Sequence, residues 1–575
     1  MNSVLITLML AISAVAVAAP PVLHFSDITS GSKTGLGDGL GSGAIVTVWG
    51  NNLGYLQGTS KVYIGNEEAA HVYYWGKADG SKAAGPADLD TYHKMQTISF
   101  SIPATVADGD VNIHVEVNGQ PSNNLPFTVR TGNIYFVSPG GEDSVDNDGS
   151  WSSPWKTLNY IGNGAGNRLQ AGNIIYATDG VTENTTFAVR YMKATAETPY
   201  AVIAYPGAKV IINAPSGAGI GNHIVDSTYW HFSKLKITTN STGIGTFKGM
   251  RAIANEITNY PDGCANGQSG AISGASMGAE SSSGIIALGN YIHDFGCDTT
   301  SKLHHVFYIS NRGGTPLESF ELGWNHLSDN KAHHALHIFD EGVCGDFTGT
   351  LKVHNNAVIN QVGVAVGVAS GAYNPPCLTM PVEIYNNLFV NVGMEIPTCS
   401  GHNNAISLTR KETLSHVKIY NNTLVGYGEP GNGVAVYVQG NGHTDWNFGG
   451  TWEFVNNIVV DTHDRPYQHD QYWKAADIKG NNLWFNGGDA TPAAPPSWDT
   501  LPLSSEPLFS DTSNHRFDLT ANSPAKESGR DLSPTVTLDM KGRPRSLVSP
   551  SIGALQYHDG TLLPPPKAID SLQVN

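Results

Sequence analysis

The segment LKVHNNAV at residues 351–358 holds the pattern that decides the fold, because it recurs along the chain. Related segments are VEIYNNLF at 382–389, VKIYNNTL at 417–424 and WEFVNNIV at 452–459. The asparagines of this register are Asn255, Asn290, Asn325, Asn356, Asn387, Asn422, Asn457 and Asn482. Their spacings are 35, 35, 31, 31, 35, 35 and 25 residues, and the residue two places later is always apolar. A repeat of this size indicates a solenoid, because one unit cannot bury its own hydrophobic face.

Each repeat is predicted to form a coil of short β-strands. β-Branched and aromatic residues occur in runs of four to six, bounded by Gly, Asn, Asp and Ser. Asparagine suits a tight turn because it tolerates positive φ, and its amide can bond the amides of the coils above and below. The pattern predicts an all-β fold, a right-handed parallel β-helix with an internal asparagine stack. A β-propeller is the alternative, although its blades would be longer and more regular.

Residues 1–19, MNSVLITLMLAISAVAVAA, are apolar and end in small residues, as in a secretory signal peptide. Cleavage is expected near Ala18 or Ala19, although no Lys or Arg precedes the apolar run. A membrane anchor is the alternative, but the run is short and no later stretch could span a bilayer. We expect a soluble secreted protein, extracellular or periplasmic, that does not insert into a membrane.

The formal net charge of −17 argues against nucleic acid as a partner, because no basic stripe is available to displace counterions. An anionic sugar polymer stays open as a partner, since a local cationic cleft can lie on an acidic surface. We expect a monomer.

The five cysteines are confined to the repeat region, and three of their separations, 33, 33 and 22 residues, are near one coil. Neighbouring cysteines are therefore predicted to form disulfide bonds between stacked coils, with one cysteine left single. Which ones pair stays open. The five are Cys264, Cys297, Cys344, Cys377 and Cys399.

Residues 20–131 alternate apolar and polar side chains in short runs separated by Gly-rich turns, which is typical of an antiparallel β-sandwich. The stretches GSGAIVTVWGNNLG, SKVYIGNEEAA and ISFSIPATVADGDVNIHVEVNGQPSNNLPFTV resemble an IPT/TIG immunoglobulin-like domain. The resemblance implies a module that positions or binds, and we assign it no catalytic residue.

The stretch GNIYFVSPGGEDSVDNDGSWSSPWKTLNYI, which follows, resembles the opening segment of secreted right-handed parallel β-helix proteins that degrade polysaccharides, the pectate-lyase-like superfold. In those proteins a strand, an acidic Gly-rich loop and a Pro-Trp-Lys-Thr-Leu run lead into a short helix that caps the open end. HRFDLTANSPAKESGRDLSPTVTLDMKGRPRSLVSPSIGALQY at 515–557 resembles their closing segment. The resemblance implies a β-helix over 132–560, and residues 561–575 are expected to form an unstructured tail.

Two consecutive predicted strands carry side chains suited to acid–base chemistry. HHVFYISNRG at 304–313 aligns with HHALHIFDEG at 333–342 at an offset of 29 residues. With the apolar residues between them facing inward, Tyr308 and His337 point outward in one column, where strands lie about 4.8 Å apart. By alternation, His305 is predicted to point outward as well. Ser407 is expected to point outward two coils later.

Six of the 21 histidines fall between residues 304 and 337, and an imidazole that titrates near pH 7 is an effective general base. Among them His326, beside the asparagine stack, is expected to be structural. The predicted catalytic residues are Tyr308 and His337 as the acid–base pair, Arg312 and Lys331 as nearby cations, and His305 and His334 as substitutes if the strand register shifts by one. The predicted substrate-binding residues are Arg410, Lys411, His304, His333, Asp340 and Glu341.

Three enzyme chemistries fit this patch to different degrees. β-Elimination of a uronic-acid polymer needs a cation, a base and an acid, which Arg, Lys, His and Tyr supply. Hydrolysis needs two carboxylates about 5 Å apart for retention or about 6.5–9.5 Å apart for inversion. Adjacent Asp340 and Glu341 should diverge, which leaves the loop carboxylates Asp294, Asp298 and Asp329 as the alternative. A calcium-assisted lyase would use Asp340, Glu341 and Asp346 as oxygen ligands, a weak pattern.

The favoured hypothesis is a secreted polysaccharide lyase acting on an anionic substrate, with no cofactor other than calcium as an option. A glycoside hydrolase on the same fold is the second hypothesis. A non-catalytic adhesive or carbohydrate-binding solenoid is the third, and it would use aromatic platforms. Candidate platform residues are Tyr437, Trp446, Trp452, Tyr467, Tyr472 and Trp473.

Overall fold

The computed structural model has regular secondary structure that is almost entirely β-strand. It describes residues 19–162, 168–221, 227–260, 269–276, 283–296, 303–311, 318–340, 349–370, 381–394, 404–409, 416–427, 434–439, 451–461, 465–468, 479–486 and 495–559. The predicted signal segment, apart from its last residue, and the predicted tail lie outside these ranges. So do all five cysteines, and the predicted disulfide bonds with them.

Within the described residues, each coil supplies strands to three parallel sheets, and every strand pairs with its counterpart in the next coil. The first sheet contains Ile134–Val137, Ile174–Ala177, Tyr200–Ala204, Trp230–Ser233, Arg251–Ile253, Ile286–Leu288, Phe320–Gly323, Leu351–His354, Val382–Tyr385, His416–Tyr420, Thr451–Val455 and Lys479–Gly480. The second sheet contains Thr182–Glu183, Ile211–Ala214, Lys236–Thr239, Glu256–Thr258, Tyr291–His293, His326–Ser328, Ala357–Gln361, Leu388–Val392, Thr423–Tyr427, Ile458–Asp461 and Leu483–Asn486.

The third sheet contains Phe187–Ala188, Ile220–Gly221, Ile244–Gly245, Ser269–Ser276, His304–Asn311, His334–Asp340, Val364–Ser370, Asn404–Thr409, Val434–Gln439 and Arg465–Gln468. A single hydrophobic core runs between the three sheets from Val137 to Trp484. The predicted parallel β-helix is therefore confirmed, and the propeller alternative is wrong.

The eight register asparagines form one column inside the helix, and each is fully buried. The backbone N–H and the side-chain amide of Asn325 both donate to Oδ1 of Asn356, at 3.1 and 2.9 Å. Asn356 donates in the same way to Asn387, and the pattern is the same from Asn255 to Asn482. The column ends on a carboxylate, because the side-chain amide of Asn482 donates to Oδ2 of Asp499 at 2.9 Å. The predicted asparagine stack is confirmed.

The turn at each stacked asparagine differs in one respect from the prediction. Positive φ belongs to the residue before the stacked asparagine, for example Asn355 at 54°, Asn386 at 55° and Asn421 at 50°. In the Asn-Asn pairs, the first asparagine adopts the left-handed conformation and the second makes the ladder. The two requirements of the turn, positive φ and an amide directed inward, are met by two different residues.

The first coil of the β-helix is capped, as the opening segment predicts. A short helix, Leu158–Ile161, begins at Thr157, whose hydroxyl accepts a hydrogen bond from the Tyr160 backbone N–H. Leu158, Ile161 and Trp155 are buried in the end of the core. These side chains cover apolar surface that the first coil would otherwise expose.

Residues 22–129 form two sheets that lie outside the helix. The strands of one are Val22–Ser26, Ile45–Asn51, His71–Lys77 and Gln96–Ser101, and those of the other are Ser30–Gly31, Lys61–Ile64, Glu67–Glu68, Gly109–Val117, Gln120–Pro121 and Leu125–Val129. All pairings are antiparallel except that of Ser30–Gly31 with Leu125–Val129. The two sheets agree with the predicted β-sandwich, and the immunoglobulin-like assignment stays a prediction.

This N-terminal unit is packed against the first sheet of the helix. Its core continues into outward side chains of that sheet, including Phe136, Tyr176 and Ile203. A buried polar contact reinforces the junction: Nζ of Lys234 donates to Thr47 Oγ1 at 2.7 Å and lies 3.7 Å from Oδ2 of Asp27. Because both charged groups are buried, removing either one would leave the other uncompensated.

The C-terminal segment covers the second sheet in the later coils. It contains the strands Phe509–Asp511 and Arg516–Leu519, joined by a 3₁₀ turn at Thr512–Asn514. Phe517, Met540 and Leu555 are buried against Ile359 and Val390. Among the described residues, the clusters that join both flanking segments to the helix use the first and second sheets and not the third. In the described part of the chain, no helix is long and apolar enough to cross a membrane.

We predict that Asn356→Ala lowers the free energy of unfolding by roughly 3 kcal/mol, because it leaves the buried carbonyl of Leu322 and the amide groups of Asn325 without their partner. Urea denaturation followed by circular dichroism measures the change. Asn213→Ala, at a partly exposed strand position, is the matched control and should stay within about 0.5 kcal/mol of the parent. Equal effects of both changes would contradict a structural role for the ladder.

His93 generates a prediction on pH. It is fully buried at the junction, where Nε2 lies 2.7 Å from the Asn355 carbonyl oxygen, and burial lowers its pKa to about 3. The unfolded chain therefore binds the proton more readily, so this contribution to stability is full above about pH 6.5 and is lost as the pH falls toward 3. His93→Gln keeps a donor for Asn355 and removes the titration.

On lowering the pH from 7.5 to 5, the parent should lose roughly 2 kcal/mol more stability than His93→Gln. Urea midpoints at both pH values measure this difference. The difference in stability between the parent and His93→Gln at pH 7.5 measures the effect of the substitution on packing. An identical loss in the two proteins would show that His93 is not held neutral by burial.

Candidate functional site

The strands His304–Asn311 and His334–Asp340 pair in parallel within the third sheet, and Tyr308 lies directly opposite His337. Phe307, Ile309 and Leu336 are buried in the core, whereas Tyr308 and His337 are half-buried on the outer side. The structure thus places the predicted pair in one column, at the predicted offset. The column continues through Ser273, Gly367, Ser407 and Tyr437.

Strict alternation fails in these strands, and this brings the histidines together. Val306 and Phe307 are consecutive, yet both belong to the core, as do Ala335 and Leu336. The residues before and after each such pair therefore share the outer side, although they are three positions apart. His305 lies outside as predicted, but alternation is the wrong reason, because alternation from Tyr308 would turn it inward.

Three imidazoles form a compact cluster on this side. One ring nitrogen from each of His305, His334 and His337 lies within 4.8 Å of the other two. The rings of His334 and His337 are stacked, with centroids 4.0 Å apart and planes 9° apart. The centroid of His305 is 4.6 Å from that of His337, and Tyr308 stacks on His305 at 4.7 Å. His305 and His334, predicted as substitutes for the pair, are thus its direct neighbours.

Gly367, opposite His337 on the next strand, provides the room for this cluster. A Cβ atom at that position would lie 2.5 Å from Cδ2 and 2.8 Å from Nε2 of His334. It would also lie 3.4 Å from Cδ2 of His337. Any other residue would therefore displace the rings, so the glycine is needed for close approach.

Burial sets the charge state of His304 and His305. His305 is 3% exposed, and burial, aided by the neighbouring His337 and His333, holds its pKa well below the usual range. Its Nδ1 is buried without a hydrogen-bond partner among the described residues. Burial also lowers the pKa of His304. His304 and His305 are therefore neutral near pH 7.

The remaining predicted histidines are buried and support the cluster. The carbonyl oxygen of His304 accepts a hydrogen bond from the backbone N–H of His333 at 2.8 Å. Nδ1 of His333 lies 2.7 Å from Nδ1 of His334. His326 is structural, as predicted: it is buried between Tyr92 and Tyr291, with ring centroids 4.8 and 4.7 Å away, and burial lowers its pKa to about 4.

Most predicted charged residues lie outside the described part of the chain. Lys331 lies three residues before His334 and is exposed. Its backbone forms an isolated β-bridge with Gly296. Asp340 ends its strand, but its side chain is not described. The others outside the described residues are Arg312, Glu341, Asp346, Arg410 and Lys411. The calcium site formed by Asp340, Glu341 and Asp346 therefore stays a prediction.

The described loop carboxylates of the hydrolase alternative lie in turns that directly follow strands of the second sheet, and each contacts a neighbouring side chain there. Oδ2 of Asp294 lies 2.8 Å from Nδ1 of His293, and Oδ1 of Asp329 accepts a hydrogen bond from Asn360 at 2.9 Å. Both aspartates have positive φ and occupy turn positions. Asp298 lies outside the described residues. The two described aspartates therefore belong to a different corner of the coil from Tyr308 and His337.

The sequence did not predict that His305, His334 and His337 come together in one cluster. Its signal is the pair of histidines three positions apart in HALH at 334–337, with HVFY at 305–308 in the same register one coil earlier. A spacing of three in a strand normally places two side chains on opposite faces. The two consecutive core residues in each strand show that the side chains before and after them lie on the same face.

Comparison with known proteins found no matching family model and no matching curated protein. Among solved structures, the chain is similar to the native and selenomethionine forms of a GH136 lacto-N-biosidase from Eubacterium ramulus. The identities are 12% and 13%, with 64% and 65% of this chain and 67% of that chain covered. The TM-score is 0.32 for both, a level of similarity that does not bear on activity.

Proposed function

We propose that the protein is a secreted polysaccharide lyase whose active site is the outer side of the third sheet around Tyr308 and His337. The observation that carries this proposal is their position opposite each other on adjacent parallel strands, with ring centroids 5.5 Å apart. At that separation both groups can reach one sugar ring of a chain that lies across the coils. Both are half-buried, so they are supported by packing and still open to substrate.

The reaction needs two proton transfers on one ring. A base removes the C5 proton, the C4–O bond breaks with its electron pair going to oxygen, and an acid protonates that oxygen. The products are a chain with a new end and a sugar with a C4–C5 double bond. A neutral His337 is assigned as the base and the Tyr308 hydroxyl as the acid. No oxidant, reductant or water is consumed.

The composition of the column favours elimination over hydrolysis. Its described outward residues are hydroxyl, imidazole and glycine positions, and they include no carboxylate: Ser273, Tyr308, His337, Gly367, Ser407 and Tyr437. A hydrolase of the usual kind would need two carboxylates across the scissile bond. Asp294 and Asp329 are engaged in turns elsewhere on the coil.

The substrate is proposed to be an anionic, uronic-acid-containing polymer. Elimination at C5 is easiest where a carboxylate on that carbon can be neutralised, and Lys331, Arg312, Arg410 and Lys411 are the proposed cations. Among the described residues the flanking segments pack on the first and second sheets, and Tyr308 and His337 on the third sheet are partly exposed. The protein is proposed to act outside the cell as a monomer.

We predict that Tyr308→Phe and His337→Ala each lower kcat at least about a hundredfold, because each removes one of the two proton-transfer groups. Absorbance near 235 nm, followed on a panel of anionic polysaccharides, detects the unsaturated product. Ser273→Ala, in the same column one coil before Tyr308, is the control for the outer surface. Far-UV circular dichroism and thermal unfolding check that each variant is folded.

Three other outcomes would contradict the proposal. Near-normal activity in both variants would refute the assigned pair. New reducing ends without absorbance near 235 nm would show hydrolysis. Binding without any cleavage by the parent would show a non-catalytic solenoid.

A further inference from the structure

We propose that His305, His334 and His337 bind one divalent transition-metal ion. Their ring nitrogens already lie within 4.8 Å of one another. Metal–nitrogen bonds of about 2.0–2.1 Å hold ligand nitrogens roughly 3–4 Å apart, so the nitrogens would have to approach by about an ångström. Because the rings of His334 and His337 are stacked, one of them would also have to turn so that both lone pairs point at the ion. All three histidines are held on paired strands, which are rigid supports for a metal site.

Two independent observations point to a ligand at this place. Nδ1 of His305 is buried and has no hydrogen-bond partner among the described residues, an arrangement that is costly unless something binds there. The ring of His334 lies directly against Gly367, where any Cβ would come within 2.8 Å of Nε2, so the glycine lets that nitrogen approach the other two rings. An orphaned buried nitrogen and a glycine that allows the rings to meet are what a bound ion would explain.

The cluster also has the outer support that metal-binding histidines need. Nδ1 of His334 lies 2.7 Å from Nδ1 of His333, a contact that fixes the orientation of the His334 ring. Nε2 is then the nitrogen of His334 that lies beside Gly367. His333 thus acts as a positioning residue in this proposal.

The donor atoms decide which ions fit. Imidazole nitrogens suit Zn²⁺, Co²⁺, Ni²⁺ or Cu²⁺, whereas Ca²⁺ and Mg²⁺ require oxygen ligands. Three protein ligands leave further coordination positions for water or substrate, which is typical of catalytic rather than structural sites. The half-buried side chains of Tyr308 and His337 mark the open side of the cluster. This site differs from the predicted calcium site in both residues and metal.

Metal binding itself does not depend on the proposed lyase activity, but its role does. If the proposed function holds, an ion bound here would occupy the lone pair through which His337 acts as a base. Zn²⁺ is therefore expected to lower the cleavage activity, and the metal-free protein is expected to be the active form.

The test uses the full mature chain without a histidine tag, stripped with a chelator and titrated with Zn²⁺ in a calorimeter. We expect one ion per chain and at least about a hundredfold weaker binding in His305→Ala, His334→Ala and His337→Ala. His416→Ala, an exposed histidine of the first sheet, is the matched control and should bind as the parent does. Gly367→Ala keeps every ligand but crowds His334, and it should weaken binding at least about tenfold.

Co²⁺ provides a second readout that does not require activity. A cluster of three imidazoles should give visible d–d absorption without the near-ultraviolet charge transfer of a cobalt–thiolate bond. Cysteine charge transfer, unchanged binding in the three histidine variants, or no binding at all would overturn the metal site. Absence of cleavage by the parent, in the metal-free and the metal-loaded form alike, together with intact Zn²⁺ binding would instead count against the lyase, so the two proposals fail separately.

Discussion

The buried asparagine ladder is the interaction on which the rest of the helix depends. Each Oδ1 accepts two hydrogen bonds from the coil before it, so every coil must bring an amide to the same place. That requirement fixes the height and rotation of each coil relative to its neighbours, whatever the length of the loops between. A slip of one residue would leave several buried polar groups unpaired, which explains why spacings of 25, 31 and 35 residues all fit one regular stack.

Fixed register has a chemical consequence on the outside of the helix. Because coils cannot slide, an outward residue of one coil meets the same position of the next, and Tyr308 comes to lie opposite His337. In the described part of the chain, the flanking segments cover the outer sides of two of the three sheets. The N-terminal unit packs on the first sheet, where Lys234 and Asp27 are buried together, and the C-terminal segment packs on the second. The histidine cluster lies on the third.

The cluster itself depends on two local departures from regular strand geometry. Two consecutive core residues, Ala335 and Leu336, let His334 and His337 share a side, and Val306 and Phe307 do the same for His305 and Tyr308. Gly367 then removes the side chain that would separate the rings. Burial keeps His305 neutral, so it adds no charge repulsion to the close packing of the rings. A neutral imidazole is also the form that accepts a proton or binds a metal.

The sequence by itself determined the repeat, the stacked asparagines, the helical cap and the column that contains Tyr308 and His337. Those features are local or periodic: an amide between apolar neighbours or an offset of 29 residues is visible in one dimension. The sequence did not show that positive φ falls on the residue before the stacked asparagine, nor that His305, His334 and His337 meet. Tertiary structure decided both. Whether two consecutive residues both face the core depends on packing in the neighbouring coils. The close approach of the three rings depends on Gly367, which lies 30 residues beyond His337.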